Sequence, residues 1–538
     1  MKIVIVGGVA GGMSAATRLR RLSEDADITV VERSGYVSFA NCGLPYHVGG
    51  VIEDRSALLL QTPQSLAARF GIRVLVGHEV TSVDRGGRVV QVTGPDGEAS
   101  LDYDALVLSP GARPVRPPIP GIERALSLRD IEDTDAMVDA VSGDVGSVVV
   151  IGGGFIGIEL AENLRHRGLD VTIVEAADQV MAPLDPEMAA FVHQRLRESG
   201  VVLHLGAGVS AIGERDVTLA DGSTVPADIV VAAIGVRPDS TLATDAGLEV
   251  DERGGIVVDE AMRTSDPAIY AVGDAVVKRD AVDGSAVMVP LANTANRQGR
   301  MVADVIMGRA AADRPVLGTA IVGVFGLQVA TTGWNAKRLA AAGRPFRQIH
   351  THPASHAGYY PGAAGLHLKL LVDPETDAIL GAQALGEDGA DKRIDVIATA
   401  MAGGITASRL ADLELAYAPA FGSAKDPVNM LGYVAGNLRD GTVKSLQWDE
   451  VADRVSAGDV LLDTRTPEEV AAGAIPGAVN IPVDDLRDRL GELPEGRVVA
   501  YCAVGVRGYL AARILTQSGR EAVNLDGGYT TWRAATGA

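Results

Sequence analysis

The chain has 538 residues, 47% of them hydrophobic, and a formal net charge of −21. The length predicts about three or four domains, and the negative charge argues against a nucleic-acid or anionic-membrane partner. Two cysteines cannot form a disulfide scaffold, and their small number suits a reducing cytoplasm. No apolar run approaches the roughly 18 residues of a transmembrane helix.

The chain begins with a strand, a glycine-rich turn and a helix. Residues 2–12 are Lys-Ile-Val-Ile-Val-Gly-Gly-Val-Ala-Gly-Gly, a helix is predicted from Met13 to about Leu22, and a second strand, Ile28–Glu32, ends in an acid. Glycines permit a tight turn and close approach of the backbone to a pyrophosphate at the helix N-terminus. As a dinucleotide fingerprint the turn is imperfect, because Val9 replaces the middle glycine.

The same unit returns at residues 147–157, where Gly152, Gly154 and Gly157 form a complete G-x-G-x-x-G turn. A helix and a strand ending in Glu175 follow. An acid about 20 residues beyond the glycines accepts hydrogen bonds from a ribose. Two such units in tandem predict two dinucleotide sites, and a doubly wound fold that binds no nucleotide is the alternative.

Each cysteine lies in a polar, glycine-containing turn. Cys42 falls in Ser38-Phe-Ala-Asn-Cys-Gly-Leu-Pro-Tyr46, and Cys502 opens Cys-Ala-Val-Gly-Val-Arg507 between a strand-like and a helix-like run. Neither belongs to a CxxC or CxxxxC pair, so Cys42 has no sequence neighbour for a local disulfide. Two buried structural thiols are the alternative, since free cysteine is often buried. The turns favour sulfur chemistry at both positions.

Further along the chain, a strand at Ala268–Asp274 ends in Gly-Asp. This segment is expected to return the chain to the first domain, which is then discontinuous. Residues from about 329 to 438 form a third region of mixed strands and helices, with a Tyr/His-containing turn at 356–361. A polar link near 436–445 precedes a last segment that is long enough for a small α/β domain.

Residues 1 to about 440 resemble the pyridine nucleotide–disulfide oxidoreductases, specifically the single-cysteine branch that contains coenzyme A-disulfide reductase. The segment around Cys42 and the G-x-x-A-G-G turn are similar to motifs of that branch. Residues from about 447 to 538 resemble a rhodanese domain. The motifs that carry this second resemblance are Asp463-Thr-Arg465, Gly473–Asn480, the Cys502 loop and Leu525–Gly528. The combination resembles the coenzyme A-disulfide reductase–rhodanese fusions, which include NADH-dependent persulfide reductases.

The resemblance implies an α/β fold with two Rossmann-like domains, one for FAD and one for NAD, an α+β dimerisation domain and a C-terminal α/β rhodanese domain. The expected boundaries are 1–112 with 247–328 for FAD, 113–246 for NAD(P)H, 329–440 for dimerisation and 447–538 for rhodanese. The implied cofactors are FAD and NADH or NADPH. The residues expected to hold them are Gly7, Ala10, Gly11, Gly12, Glu32, Arg33, Asn41, Val80, Ser109, Gly111, Asp274, Ala292, Gly152, Gly154, Gly157, Glu175 and Gly235.

In this family a flavin passes electrons from NAD(P)H to a cysteine sulfur, and glutathione-reductase-like members add a second cysteine and a His–Glu pair. This chain has no second cysteine near Cys42, so the partner sulfur must come from a small molecule, as a mixed disulfide with coenzyme A or as a persulfide. To attack, Cys42 should be a thiolate, stabilised by dipoles and backbone donors of its site. The resemblance also implies a homodimer with a shared active site. It places partner-subunit tyrosines at Tyr417 and at Tyr359 or Tyr360, and spacing favours Tyr359; packed aromatic side chains are the alternative.

The resemblance further implies a coenzyme A site with cations and hydrogen-bond donors. Its expected residues are Ser14, Arg18, Arg21, Ser38, Asn41 and Lys425. Arg18 and Arg21 lie about one turn apart on the first helix and can face one ligand; a solvated basic face is the alternative. Phe70 replaces a basic residue that contacts substrate in some relatives. At the nicotinamide site, Glu175 favours the ribose of NADH and would repel the 2′-phosphate of NADPH.

The Cys502–Arg507 loop can curl so that backbone N–H groups point at the cysteine sulfur, and the next helix adds a positive partial charge. Such a loop stabilises a thiolate and the terminal sulfur of a persulfide. Because Arg507 is the only cation of the loop, a thiol persulfide or polysulfide is a more suitable donor than thiosulfate. A purely regulatory or docking domain is the alternative.

These features together predict an FAD-dependent NAD(P)H reductase of coenzyme A persulfide, polysulfide and disulfide. Cys502 would pass sulfane sulfur to coenzyme A or a related thiol, and Cys42 would attack the resulting persulfide. The nearest alternative is a flavoprotein NADH oxidase or peroxidase that cycles a cysteine sulfenic acid. A plain coenzyme A-disulfide reductase and a redox-sensing or sulfur-carrier scaffold are the others. No cluster of His, Cys and carboxylates has ligand spacing, so no metal is expected.

Overall fold

The structure is a computed structural model that describes residues 1–538. The chain forms two compact units, Met1–Val180 with Gly200–Gly318, and Met181–Ser199 with Thr319–Ala538. None of its helices combines the length and the apolar composition that crossing a membrane requires.

The first unit contains a five-stranded parallel sheet. Its strands, in spatial order, are Ile269–Ala271, Ala105–Leu108, Lys2–Val6, Asp27–Glu32 and Arg73–Val76. The central strand is buried on both faces, which is typical of a parallel sheet covered by helices. Around the sheet lie helices Ala10–Leu22, Leu44–Val48, Pro63–Phe70 and Ala292–Ile306, and strands Glu79–Asp84, Val89–Gly94, Gly97–Asp102, Lys278–Arg279 and Ala286–Val287. Because strand 269–271 pairs with strand 105–108, the chain returns to this sheet after forming the next one.

A second parallel sheet in the same unit repeats the arrangement. Its strands, in spatial order, are Val202–His204, Asp170–Val174, Ser147–Ile151 and Ile229–Ala232. Helices Ile131–Val141 and Phe155–His166 accompany it, with antiparallel strands Val209–Ile212, Asp216–Leu219, Thr224–Pro226, and the pair Ala112–Pro114 and Val236–Pro238. Helix Thr241–Asp245 packs instead against the core of the first sheet. In both sheets a strand leads through a glycine turn into a helix, so the internal repeat of the sequence is also a repeat of structure.

The second unit begins with a five-stranded antiparallel sheet. Its strands, in spatial order, are Ala320–Val324, Leu327–Gly333, Ile379–Gly386, Leu366–Val372 and Arg347–Thr351. Its helices are Pro186–Glu198, Ala336–Ala341, Ala390–Ala402 and Pro427–Arg439. Helix 186–198 falls inside the predicted NAD(P)H domain, 113–246, yet it belongs to this unit. The buried acids Asp185 and Glu187 at its N-terminal end pair with Lys369 of the antiparallel sheet, which explains this packing.

A five-stranded parallel sheet forms the end of the chain. Its strands, in spatial order, are Ser445–Leu446, Ala522–Leu525, Val498–Tyr501, Val460–Asp463 and Val479–Asn480. Its helices are Val451–Ser456, Pro467–Ala471, Val506–Gln517 and Gly528–Thr536. The predicted fold class is confirmed, with two parallel nucleotide-type sheets, an antiparallel α+β layer and a terminal α/β layer. The individual domain boundaries stay predictions.

Candidate active sites

The first glycine turn leaves no space for side chains. Gly7 has a φ of +101°, and a Cβ there would collide with the carbonyl oxygen of Ser109; a Cβ on Gly12 would collide with that of Gly7. Glu32 accepts a hydrogen bond from the Gly8 N–H at 2.7 Å, and burial raises its pKa. The turn, the acid and Ser109 meet where the parallel strands end, which is where open α/β sheets bind ligands.

A polar cluster next to this turn contains an oxygen without a partner. Asn41 Oδ1 is buried and makes no hydrogen bond, while Asn41 Nδ2 lies 3.5 Å from the carbonyl oxygen of Arg129. Arg129 Nη2 lies 3.8 Å from Asp274 and beside Gly111, whose φ is +72°. Buried polar atoms normally have partners, so this cluster fits a bound polar group such as the flavin. No sequence motif points to Arg129.

The remaining residues predicted for FAD lie in the same unit. Ala10 and Ala292 begin helices 10–22 and 292–306, and Gly11 approaches the Ser109 side chain. Val80 is buried on strand 79–84. Arg33 pairs with Asp239 at 3.0 Å. Their contacts with FAD stay predictions.

The second glycine turn has the geometry of the first. Gly152 has a φ of +107°, and a Cβ on Gly157 would collide with its carbonyl oxygen. Glu175 accepts the Gly153 N–H at 2.7 Å and the Ala177 N–H at 2.8 Å. Gly154 and Gly235 (φ +112°) border open space. In each turn a carboxylate thus accepts a hydrogen bond from a backbone N–H of a glycine. The open space beside the second turn can admit a dinucleotide.

Cys42 is exposed and lies in the short turn Asn41–Gly43 before helix 44–48. Ser38, four residues earlier, has a φ of +51°, a strained conformation that shapes this turn. Partial burial and the charges of Glu159 and Asp274 raise the pKa of the Cys42 thiol. Burial and these two acids therefore favour the neutral thiol in the chain alone. The expected stabilisation of the Cys42 thiolate by dipoles and backbone donors stays a prediction.

Glu159 is a functional candidate that the sequence analysis missed. It lies on helix 155–166, and Tyr46 Oη donates a hydrogen bond to its Oε1 at 3.4 Å. Burial and Glu162 raise the pKa of Glu159 to about 7, and burial and Glu159 raise that of Tyr46 to about 12. An acid inside the otherwise apolar turn Phe155–Leu160 is the signal that could have revealed it. Glu159 can therefore exchange a proton near Cys42 at neutral pH.

The residues predicted for coenzyme A do not form one open basic face. Arg18 donates from Nε and Nη2 to Asp304 Oδ1 at 3.1 and 2.6 Å, so an acid neutralises it. Ser14 Oγ lies 2.5 Å from Asn296 Oδ1. Arg21 and, in the second unit, Lys425 are exposed. Phe70 packs against the core of the first sheet. The role of this set in binding coenzyme A stays a prediction.

Two of the predicted tyrosines meet on the surface of the second unit. The hydroxyls of Tyr359 and Tyr417 lie 3.0 Å apart, and the side chains are 76% and 48% exposed. Tyr360 points elsewhere, with its ring 5.7 Å from that of His356. A cavity of about 480 Å³ beside Tyr417 is lined by Lys392, Arg393 and Phe421 among others. Exposed aromatic side chains grouped in this way are typical of a surface that another molecule covers.

Cys502 is buried in a loop whose own backbone contacts its sulfur. The residue is 1% exposed, and the Gly505 N–H points at its Sγ from 3.2 Å. Helix 506–517 begins directly after Gly505, whose φ is +98°. The Tyr529 N–H donates a hydrogen bond to the Cys502 carbonyl oxygen at 2.8 Å, which ties the loop to the start of helix 528–536. Arg507 forms two hydrogen bonds with Glu469, at 2.7 and 2.6 Å.

A buried charge network lies behind this loop. His350 Nδ1 contacts Asp526 at 2.6 Å and its Nε2 contacts Glu187 at 3.1 Å. Lys369 pairs with Glu187 and, at 2.8 Å, with Asp185. Asp526 directly precedes the Gly527–Gly528 turn that packs on the Cys502 loop, so the network connects that loop to the antiparallel sheet. The structure contains no group of three or more His, Cys, Asp or Glu that could hold a metal ion.

Comparisons with known proteins cover most of the chain. The pyridine nucleotide-disulphide oxidoreductase model matches residues 1–299, the dimerisation-domain model of the same family matches 319–427, and the rhodanese-like domain model matches 447–535. The coenzyme A disulfide reductase of Staphylococcus aureus (strain JH9) is 35% identical over 440 residues, which are 81% of this chain and 99% of that protein.

Solved structures extend the likeness to the end of the chain. The crystal structure of reduced CoADR-RHD from Bacillus anthracis is 47% identical, covers 100% of this chain and 98% of its own, and superposes with a TM-score of 0.98. A NAD-dependent persulfide reductase from A. fulgidus is 39% identical, with coverages of 99% and 100% and a TM-score of 0.93. The resemblance predicted from the motifs is confirmed.

Proposed function

Because the chain belongs to the pyridine nucleotide–disulphide oxidoreductase family, we propose that it is an FAD-dependent NAD(P)H reductase of coenzyme A persulfide, polysulfide and disulfide with a fused sulfurtransferase domain. The observation that carries the proposal is the combination of a lone reductase cysteine, Cys42, with a rhodanese-type loop around Cys502. A lone cysteine needs its second sulfur from the substrate, and such a loop can hold a persulfide. Two free cysteines are suited to the cytoplasm.

The residues of both glycine turns fit the implied cofactors. The cramped first turn, Glu32 and the unpartnered Asn41 oxygen support FAD, and the second turn with Glu175 supports the nicotinamide dinucleotide. When bound, the flavin supplies the route for an electron pair from the nicotinamide to sulfur. Glu175 favours NADH, because its carboxylate would repel the 2′-phosphate of NADPH.

Cys42 is the proposed attacking sulfur. With coenzyme A disulfide, its thiolate forms a Cys42–coenzyme A mixed disulfide and coenzyme A thiolate leaves. With coenzyme A persulfide, attack on the inner sulfur gives the same mixed disulfide and releases hydrosulfide. The electron pair from NAD(P)H and one proton then cleave this disulfide into the Cys42 thiolate and coenzyme A. Both substrates therefore converge on one intermediate of the protein.

The Tyr359–Tyr417 pair is the proposed proton donor to the leaving sulfur, supplied by the partner subunit of a homodimer. The pair is too exposed for packed aromatic side chains, and its two hydroxyls share a hydrogen bond at 3.0 Å. The dimerisation-domain match, 319–427, includes both residues. The contact with Tyr417 favours Tyr359 over Tyr360.

Mixed dimers test whether the site is shared. In NADH-dependent disulfide reduction, the homodimer of the double variant Tyr359→Phe, Tyr417→Phe should lose at least about 100-fold, the usual size of a general-acid contribution. The Cys42→Ser homodimer should lose at least about 10³-fold, because its nucleophile is absent. A mixed dimer of these two chains should recover activity, because it holds one site with an intact cysteine and intact partner tyrosines. Absence of recovery in a purified mixed dimer would show that each chain uses its own tyrosines.

Substrate turnover tests the activity itself. NADH consumption is measured with coenzyme A persulfide, coenzyme A disulfide, oxygen and hydrogen peroxide, together with the mass of the untreated protein. Persulfide turned over faster than disulfide, with a coenzyme A adduct on Cys42, is the expected result. Faster disulfide turnover would indicate thiol maintenance. Consumption with oxygen or peroxide alone, and no adduct, would assign the alternative, an oxidase that uses a Cys42 sulfenic acid.

A further inference from the structure

The only cation of the Cys502 loop is held by a carboxylate from another segment. Arg507 Nη1 and Nη2 donate to the two oxygens of Glu469, at 2.7 and 2.6 Å. Glu469 Oε2 also accepts the Thr466 N–H at 3.0 Å in the capping box of helix 467–471. Two parallel hydrogen bonds between a guanidinium and a carboxylate have a specific geometry, and the capping hydrogen bond also holds the carboxylate of Glu469 in place. The hydrogen bond from Arg507 lowers the pKa of Glu469 to about 2, so the acid is ionised at neutral pH.

Two arginines in the region of Cys502, Arg507 and Arg465, are each paired with a carboxylate. The loop side chains Ala503, Val504 and Val506 are uncharged. A second guanidinium of this region, that of Arg465, lies over the Tyr501 and Tyr529 rings and is bound to Asp463 at 2.6 Å. Each of these two arginines is matched by one carboxylate. An anion at Cys502 is favoured by the Gly505 N–H, by the helix N-terminus and by Arg507, which interacts with Cys502 while it is paired with Glu469.

The surface beside the loop is apolar. Val506 and Leu510 are 56% and 47% exposed, and they lie four residues apart on helix 506–517, so they share one face. Such a face contacts the organic part of a thiol better than it contacts a small inorganic dianion. The pairing of Arg507 with Glu469 and the apolar face of Val506 and Leu510 thus both favour an organic persulfide as the sulfur donor.

We propose that Glu469 determines the sulfur donor of the Cys502 site, by neutralising Arg507 so that organic persulfides react and thiosulfate is disfavoured. This inference rests on the proposed sulfurtransferase role of Cys502. With a persulfide R–S–SH, the Cys502 thiolate forms a bond to the outer sulfur, the S–S bond breaks, and R–S⁻ leaves with the electron pair. With thiosulfate the same attack expels sulfite, and an anionic thiolate must approach a dianion. A free Arg507 would assist the second reaction far more than the first.

Glu469→Gln tests the proposal, because the amide oxygen of glutamine can still accept the capping hydrogen bond from the Thr466 N–H, whereas the negative charge and one of the two acceptors for Arg507 are removed. Sulfur loading of Cys502 is followed by intact mass in the FAD-loaded full-length Cys42→Ser protein, with thiosulfate or coenzyme A persulfide as donor. The second-order rate with thiosulfate should rise about five- to twentyfold and that with persulfide should change less than about twofold. The gain should shrink at high salt, since it is electrostatic. Glu468→Gln, its exposed neighbour, is the matched control and should alter neither rate.

An unchanged thiosulfate-to-persulfide ratio in Glu469→Gln, with normal loading from persulfide, would overturn the proposal and leave the function intact. An equal gain in Glu468→Gln, or a gain that is indifferent to salt, would also overturn it, because the effect would then not come from Arg507. If Cys502 of the parent protein takes sulfur from neither donor, both the donor preference and the proposed sulfurtransferase role fail.

Discussion

Cys42 and Cys502 are both proposed to react with sulfur, but their surroundings differ. Cys502 is buried, receives a backbone N–H at 3.2 Å and lies directly before a helix N-terminus. Cys42 is exposed, and the neighbouring charges of Glu159 and Asp274 raise its pKa. The chain alone supplies the donors of the Cys502 site. The Cys42 site depends on donors that we expect from the cofactor, the substrate and the partner subunit.

The difference matches what each sulfur has to do. In the proposed mechanism Cys502 holds a persulfide anion, and a loop with fixed donors stabilises that anion. In the proposed mechanism Cys42 admits a large organic disulfide and the tyrosines of a partner subunit, which an exposed side chain allows. A thiol with a raised pKa also remains protonated until those groups arrive, which limits its reaction with other electrophiles.

Replacing each cysteine by serine should abolish one activity and leave the other, and the loss of activity is the largest effect that we expect. Cys42→Ser should lower NADH-dependent reduction of coenzyme A disulfide by at least about 10³-fold, because the nucleophile is lost. Cys502 should still take up sulfur from a persulfide in that variant. Steady-state NADH oxidation and intact mass measure the two activities in one preparation.

Cys502→Ser is the reciprocal control. It should lose sulfur uptake at position 502 and keep disulfide reduction within about twofold, since Cys502 takes no part in the proposed reduction of the disulfide. Loss of disulfide reduction in Cys502→Ser would contradict the division of labour between the two cysteines.

The anchoring of the Cys502 loop can be broken at Lys369. Lys369→Met removes the lysine that the buried acids Asp185 and Glu187 share, which should destabilise the second unit by about 3–5 kcal/mol. Lys392→Met, which removes a partly exposed pair with Asp426 at 3.5 Å, should cost no more than about 1 kcal/mol. All three tryptophans, Trp334, Trp448 and Trp532, lie in the second unit, so their fluorescence during urea unfolding reports on that unit. Equal midpoints for the two variants would refute the anchoring role.

The same network predicts how the stability of the second unit depends on pH. Burial lowers the pKa of His350, but Asp526 and Glu187 outweigh it and hold the pKa above the usual 6.5. Stability from protonated His350 is therefore complete below pH 6.5 and is lost as the pH rises through the raised pKa. Burial raises the pKa of Glu187, but Lys369 and His350 outweigh it and hold the pKa below 4.5, so its contribution is lost as the pH falls through that lowered value.

These two groups together give highest stability between pH 4.5 and 6.5. The urea midpoint of tryptophan fluorescence should fall as the pH is raised from about 6.5 to about 9. In His350→Gln the fall should be smaller, because no imidazolium is lost. A variant with the full pH dependence of the parent protein would remove His350 from the network.

The parts of the structure that local sequence determines were predictable. Glycine turns and the Cys502 loop are constrained by backbone geometry within a few residues, so their motifs specify them. Long-range pairs were not predictable, because nothing near Arg507 in sequence points to Glu469, 38 residues away, and His350 and Asp526 are 176 residues apart. Arg18 is an example of such a pair. Helical spacing predicted the helix face on which Arg18 lies, but not its partner Asp304, which is 286 residues further along the chain.

The smallest expected effect concerns the acid beside Cys42. Burial raises the pKa of Glu159 to about 7, so at about pH 8 its carboxylate is charged and disfavours the Cys42 thiolate. In the reduced protein, Glu159→Gln should speed alkylation of Cys42 by iodoacetamide about three- to tenfold at that pH, equivalent to roughly 0.5–1 pKa unit. At about pH 6 Glu159 is mostly protonated, so the gain should shrink. Cys502 is the internal control, because its loop lies in the other unit. A gain of equal size at both pH values would mean that Glu159 acts on Cys42 through packing rather than through charge.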